Sequence, residues 1–161
     1  MNAPDQNLIF NYFYKRNIRD FLGVPDSTLK QFIDCAIKKK KIIITTREEE
    51  AIGIATGISL SGFTPVVFMQ NAGFANCLST ITSLVQMYNI PMIFLIGWRG
   101  FDKSDAPEHI KIGEIQPDLL SSLGLKSKIV TEKNWKSCCD WALQTIKKKP
   151  CALIFRRLLD E

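Results

Sequence analysis

Six short runs of mostly apolar residues punctuate the chain, over 20–24, 42–45, 65–69, 92–96, 127–130 and 151–156. Their β-branched and aromatic content predicts strands. Stretches with helical patterning separate them, over 5–17, 27–38, 48–61, 73–88, 117–123 and 133–147. Ser27 is placed to cap the second of these, and Gly62 to close the third. The polar stretch 97–113 reads as a long loop. Most strands are continuous apolar runs rather than alternating ones, as in sheets covered on both faces; the Ile42-Ile43-Ile44 run looks as buried as the rest. Strand–helix alternation at these spacings predicts a doubly wound, mainly parallel six-stranded α/β sheet with helices on both faces, as a single domain over 1–161.

In such sheets ligands bind outside the carboxyl ends of the strands. Four unusual segments follow strands there: VPDS (24–27), TREEE (46–50), QNAGFAN (70–76) and GWRGFDKSDAPEH (97–109). Each has a functional reading beside a structural one. Glu48, Glu49 and Glu50 cannot all face one point, because successive helical residues rotate by about 100°. Glu48 is best placed to look into the crevice, while any of the three could simply complement a helix N-terminus. Gln70 and Asn71 could bind a polar ligand, or Asn71 could cap the next helix. Arg99, flanked by glycines, suits a carboxylate, sulfonate or phosphonate, though a loop arginine is also common on surfaces. His109, the one histidine, lies in a Pro-containing loop, and Asp26 fits an ordinary turn.

Composition removes several alternatives. Much of the net charge of +5 sits at 38–41 and 147–149, where predicted helices end. There is no basic stripe interleaved with aromatics, so no nucleic-acid partner is expected. The apolar runs are too short to span a membrane, and the polar start MNAPDQ has no signal-peptide pattern, so a cytoplasmic protein is expected. Five cysteines without a CxxC pair predict reduced, mostly buried thiols and no metal site.

Together the segments GVPDS (23–27), TREEEAIGIATG (46–57), PVVFMQNAGFAN (65–76), IPMIFLIGWRG (90–100) and APEHIKIG (106–113) resemble the pyrimidine-binding domain of thiamine diphosphate-dependent decarboxylases. They are most similar to the branch of sulfopyruvate and phosphonopyruvate decarboxylases, over roughly residues 8–156. In that family a glutamate lies three residues before an alanine and nine before a helix glycine; Glu48, Ala51 and Gly57 fit, whereas Glu49 and Glu50 do not. The resemblance implies that Glu48 hydrogen-bonds N1′ of the cofactor's aminopyrimidine and favours its imino tautomer. It implies that Gln70 and Asn71 line the pyrimidine pocket, and that Asp26 and His109 serve near the reacting carbons. Arg99, by its charge, would meet the substrate's terminal anion. Ala72 and Phe74 depart from the family's frequent Ser and Leu, which alters a pocket wall without removing a catalytic group.

The family binds the cofactor diphosphate through Mg²⁺ on a GDG motif followed by Asn-Asn, neither of which occurs in these residues. The resemblance therefore implies an alpha subunit whose beta subunit carries GDG and holds Mg²⁺, most simply as α2β2. The expected substrate is an anionic 2-keto acid, 3-sulfopyruvate first and 3-phosphonopyruvate second. A non-catalytic assembly or regulatory subunit of the same fold is the alternative.

Overall fold

The computed structural model describes residues 4–102 and 105–156. Six strands form one all-parallel sheet in the order β2-β1-β3-β4-β6-β5: β1 (Asp20–Gly23), β2 (Ile42–Ile44), β3 (Pro65–Gln70), β4 (Ile93–Trp98), β5 (Ser127–Ile129) and β6 (Cys151–Arg156). The chain steps outward from β1 to β2, then returns to place β3 on the other side of β1. A crevice opens where the winding direction reverses in this way, at the carboxyl ends.

Alternate strand residues feed two cores, because successive side chains point to opposite faces. On one face α1 (Gln6–Tyr14), α2 (Lys30–Lys38) and α7 (Trp135–Thr145) cover Phe21, Val66, Phe68, Ile93, Leu95, Leu153 and Phe155. Phe10, Phe21 and Phe32 meet there with ring centroids 4.9–5.5 Å apart, all tilted or edge-on, the favoured geometry for aromatic quadrupoles. On the other face α3 (Glu48–Leu60), α4 (Asn71–Asn76) and α6 (Pro107–Ser122) cover Leu22, Val67, Met69, Phe94, Ile96 and Ile154. The doubly wound architecture is thus the one the pattern predicts, with every strand pair parallel.

Three local differences from the sequence reading have physical causes. The β2 run is an edge strand, and Ile43 and Ile44 are 43% and 51% exposed rather than covered. The helix expected over 73–88 begins at Asn71 and is broken into α4, a short α5 (Leu78–Thr80) and a π-helical stretch, Ile81–Gln86. Thr82 and Ser83 donate their hydroxyls back to the Leu78 and Ser79 carbonyls, a competition that bends helices. Finally, α6 starts ten residues before the short helix expected near 117–123, so His109 lies in a helical first turn and not in a loop. Pro107 suits the first helical position, where its missing N–H is not needed.

Pro117 inside α6 has a specific compensation. Proline has no N–H to give to the carbonyl four residues back, which is Gly113. The Trp98 indole Nε1–H donates to that Gly113 carbonyl instead, at 2.9 Å. Pro117 thereby leaves free an acceptor that ties α6 to the end of β4.

Candidate active site

Asp26 joins three strand ends. After β1 the chain runs through Val24-Pro25, and Asp26 caps the single turn Ser27–Leu29 that leads into α2, its Oδ2 accepting from the Thr28 N–H at 3.2 Å. Oδ1 accepts from Gln70 Nε2, at the end of β3, at 3.1 Å. The carboxylate lies across Gly97 of β4, where a Cβ would overlap Oδ2. Asp26 is buried, so its hydrogen bonds carry weight: an unmatched buried carboxylate is costly.

The three consecutive glutamates at the start of α3 do different things. Glu50 turns back, its Oε2 accepting from the Thr46 N–H (3.0 Å) and Oγ1 (3.1 Å), and these bonds hold its carboxyl below the ordinary range. Glu49 faces Arg47 at 4.0 Å. Glu48 is half-buried and extends over α4, where a Cβ on Gly73 would overlap its Oε1. Among the described residues its carboxylate takes no hydrogen bond or ion pair. One carboxylate caps the helix, one balances a surface charge, and one is left to meet something else.

Asn71 is fully buried, and both ends of its amide are engaged by one backbone unit. Its Nδ2 donates to the Arg99 carbonyl (2.9 Å) and its Oδ1 accepts from the Arg99 N–H (3.2 Å), bracing the ends of β3 and β4. Arg99 does not stand alone either. Its guanidinium forms an ion pair with Asp105, with Nε 2.9 Å from Oδ2 and Nη2 2.7 Å from Oδ1. That hydrogen-bonded pairing raises the arginine pKa and holds the Asp105 carboxyl far below the usual carboxylate range. The pairing of Asp105 was not foreseen from the sequence; an aspartate six residues along a polar loop carries no periodicity that would reveal it. Lys103, another cation of this loop, falls outside the described residues.

The structure thus brings Asp26, Gln70 and Gly97 together, and links Asn71 to Arg99. His109 is half-buried in the first turn of α6, where its carbonyl meets Gly100 so closely that a Cβ would not fit. Gly100 also has φ +69°, a backbone region that favours glycine. The buried Cys77, beneath the acidic turn, is pushed up to about 12 by desolvation with help from Glu49 and Glu48. Burial does the same to Cys139 and Cys151, which leaves these three thiols poor nucleophiles at neutral pH; all five cysteines are free of disulfides. A separate cavity of about 430 Å³ lies beneath α6, lined by Trp98, Leu120, Leu125, Ile129 and Ile154 among others; its wall is mainly apolar. Among the described residues no helix is long and apolar enough to cross a membrane.

Comparison with known proteins adds to this geometry. The chain is 36% identical over 107 residues to "Sulfopyruvate decarboxylase subunit alpha" of Methanocaldococcus jannaschii, covering 65% of this chain and 63% of that protein. It is 31% identical over 113 residues to "Phosphonopyruvate decarboxylase" of Streptomyces viridochromogenes, covering 68% of this chain and 28% of that protein. Its fold matches the thiamine diphosphate-dependent 4-hydroxybenzoylformate decarboxylase of Rhodococcus jostii RHA1 with a TM-score of 0.69 at 15% identity, over 94% of this chain and 30% of that one. Residues 6–122 match the family described as "Thiamine pyrophosphate enzyme, N-terminal TPP binding domain", and the chain belongs to that family.

Proposed function

We propose that this chain supplies the pyrimidine side of the active site in a cytoplasmic, two-chain, thiamine diphosphate-dependent decarboxylase that converts 3-sulfopyruvate to sulfoacetaldehyde and carbon dioxide. The observation that carries the reading is Glu48: of three adjacent carboxylates, it is the one left without a hydrogen bond or ion pair among the described residues, at the start of α3 and over Gly73. The donor set fits the cofactor. An aminopyrimidine needs a carboxyl partner for its ring nitrogen, and Glu48, laid over Gly73 with no side chain in the way, offers one. When bound, thiamine diphosphate supplies a nucleophilic carbon and an electron sink for the leaving carboxylate.

The chain's own residues then have distinct tasks. Glu48 holds a proton at N1′. Gln70 and Asn71 wall the pyrimidine site, Asn71 by its position, since its amide braces Arg99. Asp26 and His109 serve the reacting carbons as polar or proton-transfer groups, and Arg99 meets the substrate's terminal anion. A partner chain bearing GDG holds the diphosphate and Mg²⁺. Support for that partner comes from the "subunit alpha" names of similar proteins. It also comes from the outer side of α3 and the neighbouring edge. Ile43, Ile44 and Ile54 are exposed there, Leu60 is 75% exposed, and Cβ positions at Gly53 and Gly57 are open. The simplest assembly is α2β2.

Similarity to phosphonopyruvate decarboxylases supports 3-phosphonopyruvate as the second substrate candidate. The test is a steady-state comparison of the two keto acids with the reconstituted complex, identifying the aldehyde formed. A higher kcat/KM for sulfopyruvate is expected. Preference for phosphonopyruvate would move the assignment to the second substrate, and failure with both would remove the decarboxylase reading.

A further inference from the structure

The Arg99–Asp105 pair is more than a neutralised charge, because of how the guanidinium is turned. Asp105 takes the Nε/Nη2 edge of the fork. Nη1, on the far side, lies 3.4 Å from Ser27 Oγ, next to Asp26. The side chains of Arg99 and Asp105 are only 12% and 5% exposed, so neither swings freely in solvent. Asp105 is itself fixed: its carboxylate accepts the backbone N–H of Gly100 (2.8 Å) and of Ala106 (2.8 Å). A single carboxylate therefore ties together the loop after β4, the start of α6 and the arginine side chain.

A guanidinium has five N–H donors in a rigid plane. With Asp105 on one edge, three donors are left, both hydrogens of Nη1 and the second of Nη2, and the Nη1/Nη2 edge they form points in a fixed direction. We propose that Asp105 is a positioning residue for the substrate's terminal oxyanion: it turns Arg99 so that this remaining edge, beside Ser27, meets a sulfonate or phosphonate. The inference rests on the decarboxylase reading above and deepens it. The Arg–Asp pair carries no net charge, so selection of the terminal group comes from oriented donors rather than from an excess of positive charge.

Orientation and charge make opposite predictions for removing the carboxylate. If Asp105 merely dampened the positive charge, Asp105→Asn would strengthen anion binding and lower KM. If it orients Arg99, the amide's NH2 opposes the donors it must hold, the fork loosens, and KM rises. The experiment uses the complex reconstituted with its GDG-bearing partner, thiamine diphosphate and Mg²⁺, and measures KM and kcat for sulfopyruvate. Asp105→Asn is expected to raise KM about tenfold, the scale of one charge-assisted hydrogen bond, with a much smaller change in kcat. Because Asp105 acts through Arg99, the double variant Asp105→Asn/Arg99→Ala is expected to match Arg99→Ala alone. An unchanged or lowered KM, or losses that multiply in the double variant, overturns the proposal. Should the asparagine variant fail to assemble, Asp105→Glu decides: it keeps the charge but displaces the fork, so a raised KM supports positioning and a normal KM overturns it. The unsubstituted complex separates the two levels: no turnover of either keto acid removes the decarboxylase reading and this inference with it, whereas normal turnover with an unmoved KM removes the inference alone.

Discussion

Glu48 and Arg99 stand at the same carboxyl edge of one sheet, yet their surroundings are opposite. Glu48 begins α3 with its carboxylate over a glycine and no hydrogen-bonding or ionic partner among the described residues. Arg99 follows β4 with its guanidinium clamped by Asp105 and its backbone clamped by Asn71. The first is left open to whatever enters the crevice in the proposed reading. The second is built in advance, its orientation already fixed by Asp105 and Asn71. In the proposed chemistry this division is sensible: a proton-handling carboxyl must be available to the cofactor, while a group that selects a substrate gains from being held still.

The largest effect should come from the unpartnered side. In the reconstituted enzyme, Glu48→Gln should lower kcat by about 10²–10⁴-fold, the usual contribution of a positioned acid–base group. Glu49→Gln and Glu50→Gln should cost far less, because Arg47 and Thr46 are what those carboxylates serve. Equal losses at all three would erase the distinction between them.

Two glycines should behave differently. A Cβ at position 97 would overlap Asp26 Oδ2, so Gly97→Ala must displace that carboxylate, and kcat/KM should fall about 10²-fold, as expected for a misplacement near 1 Å. Gly57→Ala meets nothing within 4 Å in this chain. It should leave the chain's thermal stability unchanged or raise it by up to about 1 kcal/mol. It should weaken assembly if the partner packs on that face, which a titration of the two chains by calorimetry would show.

On the paired side, Arg99→Ala should raise KM for sulfopyruvate by about 10- to 100-fold, since about 1.4 kcal/mol is a factor of ten. A parallel fall in kcat would point to general damage at the loop. A further effect concerns acid stability. Arg99 holds the Asp105 carboxyl below its unfolded value, so the pair's stabilisation is present above about pH 4 and is lost as pH falls through the folded value. Chemical denaturation should find Asp105→Asn less stable by about 2 kcal/mol at pH 7, with the gap narrowing in strong acid. A gap that widened as pH fell would contradict the depressed carboxyl.

Why some of this was visible in the sequence, and some not, follows from the same contrasts. The central strands announce themselves because residues buried on both faces have to be apolar, as in the runs 65–69 and 92–96. Ile43 and Ile44 look no different from those runs, since one chain's sequence does not record whether a covering surface belongs to itself or to a neighbour. The first half of α6 is polar enough to read as part of the loop over 97–113, and Pro117 inside it is accommodated with the Trp98 indole, 19 residues earlier, donating to the Gly113 carbonyl that the proline leaves free. The family resemblance is what singles out Glu48 from Glu49 and Glu50, through its spacing to Ala51 and Gly57, whereas the Thr46 bonds of Glu50 and the Gly73 cradle needed coordinates. Asp105 had no legible signal, because a loop contact between residues 99 and 105 follows from backbone turns that no periodicity encodes.

In the proposed reading this chain provides one half of a shared active site. The most direct measurement is sulfopyruvate decarboxylation by a fixed amount of the chain, with thiamine diphosphate and Mg²⁺ in excess, as a GDG-bearing partner is titrated in. The predicted result is no turnover without the partner, then a rise that saturates at equal numbers of the two chains. Substantial turnover by the chain alone, or no turnover at any ratio, would contradict it.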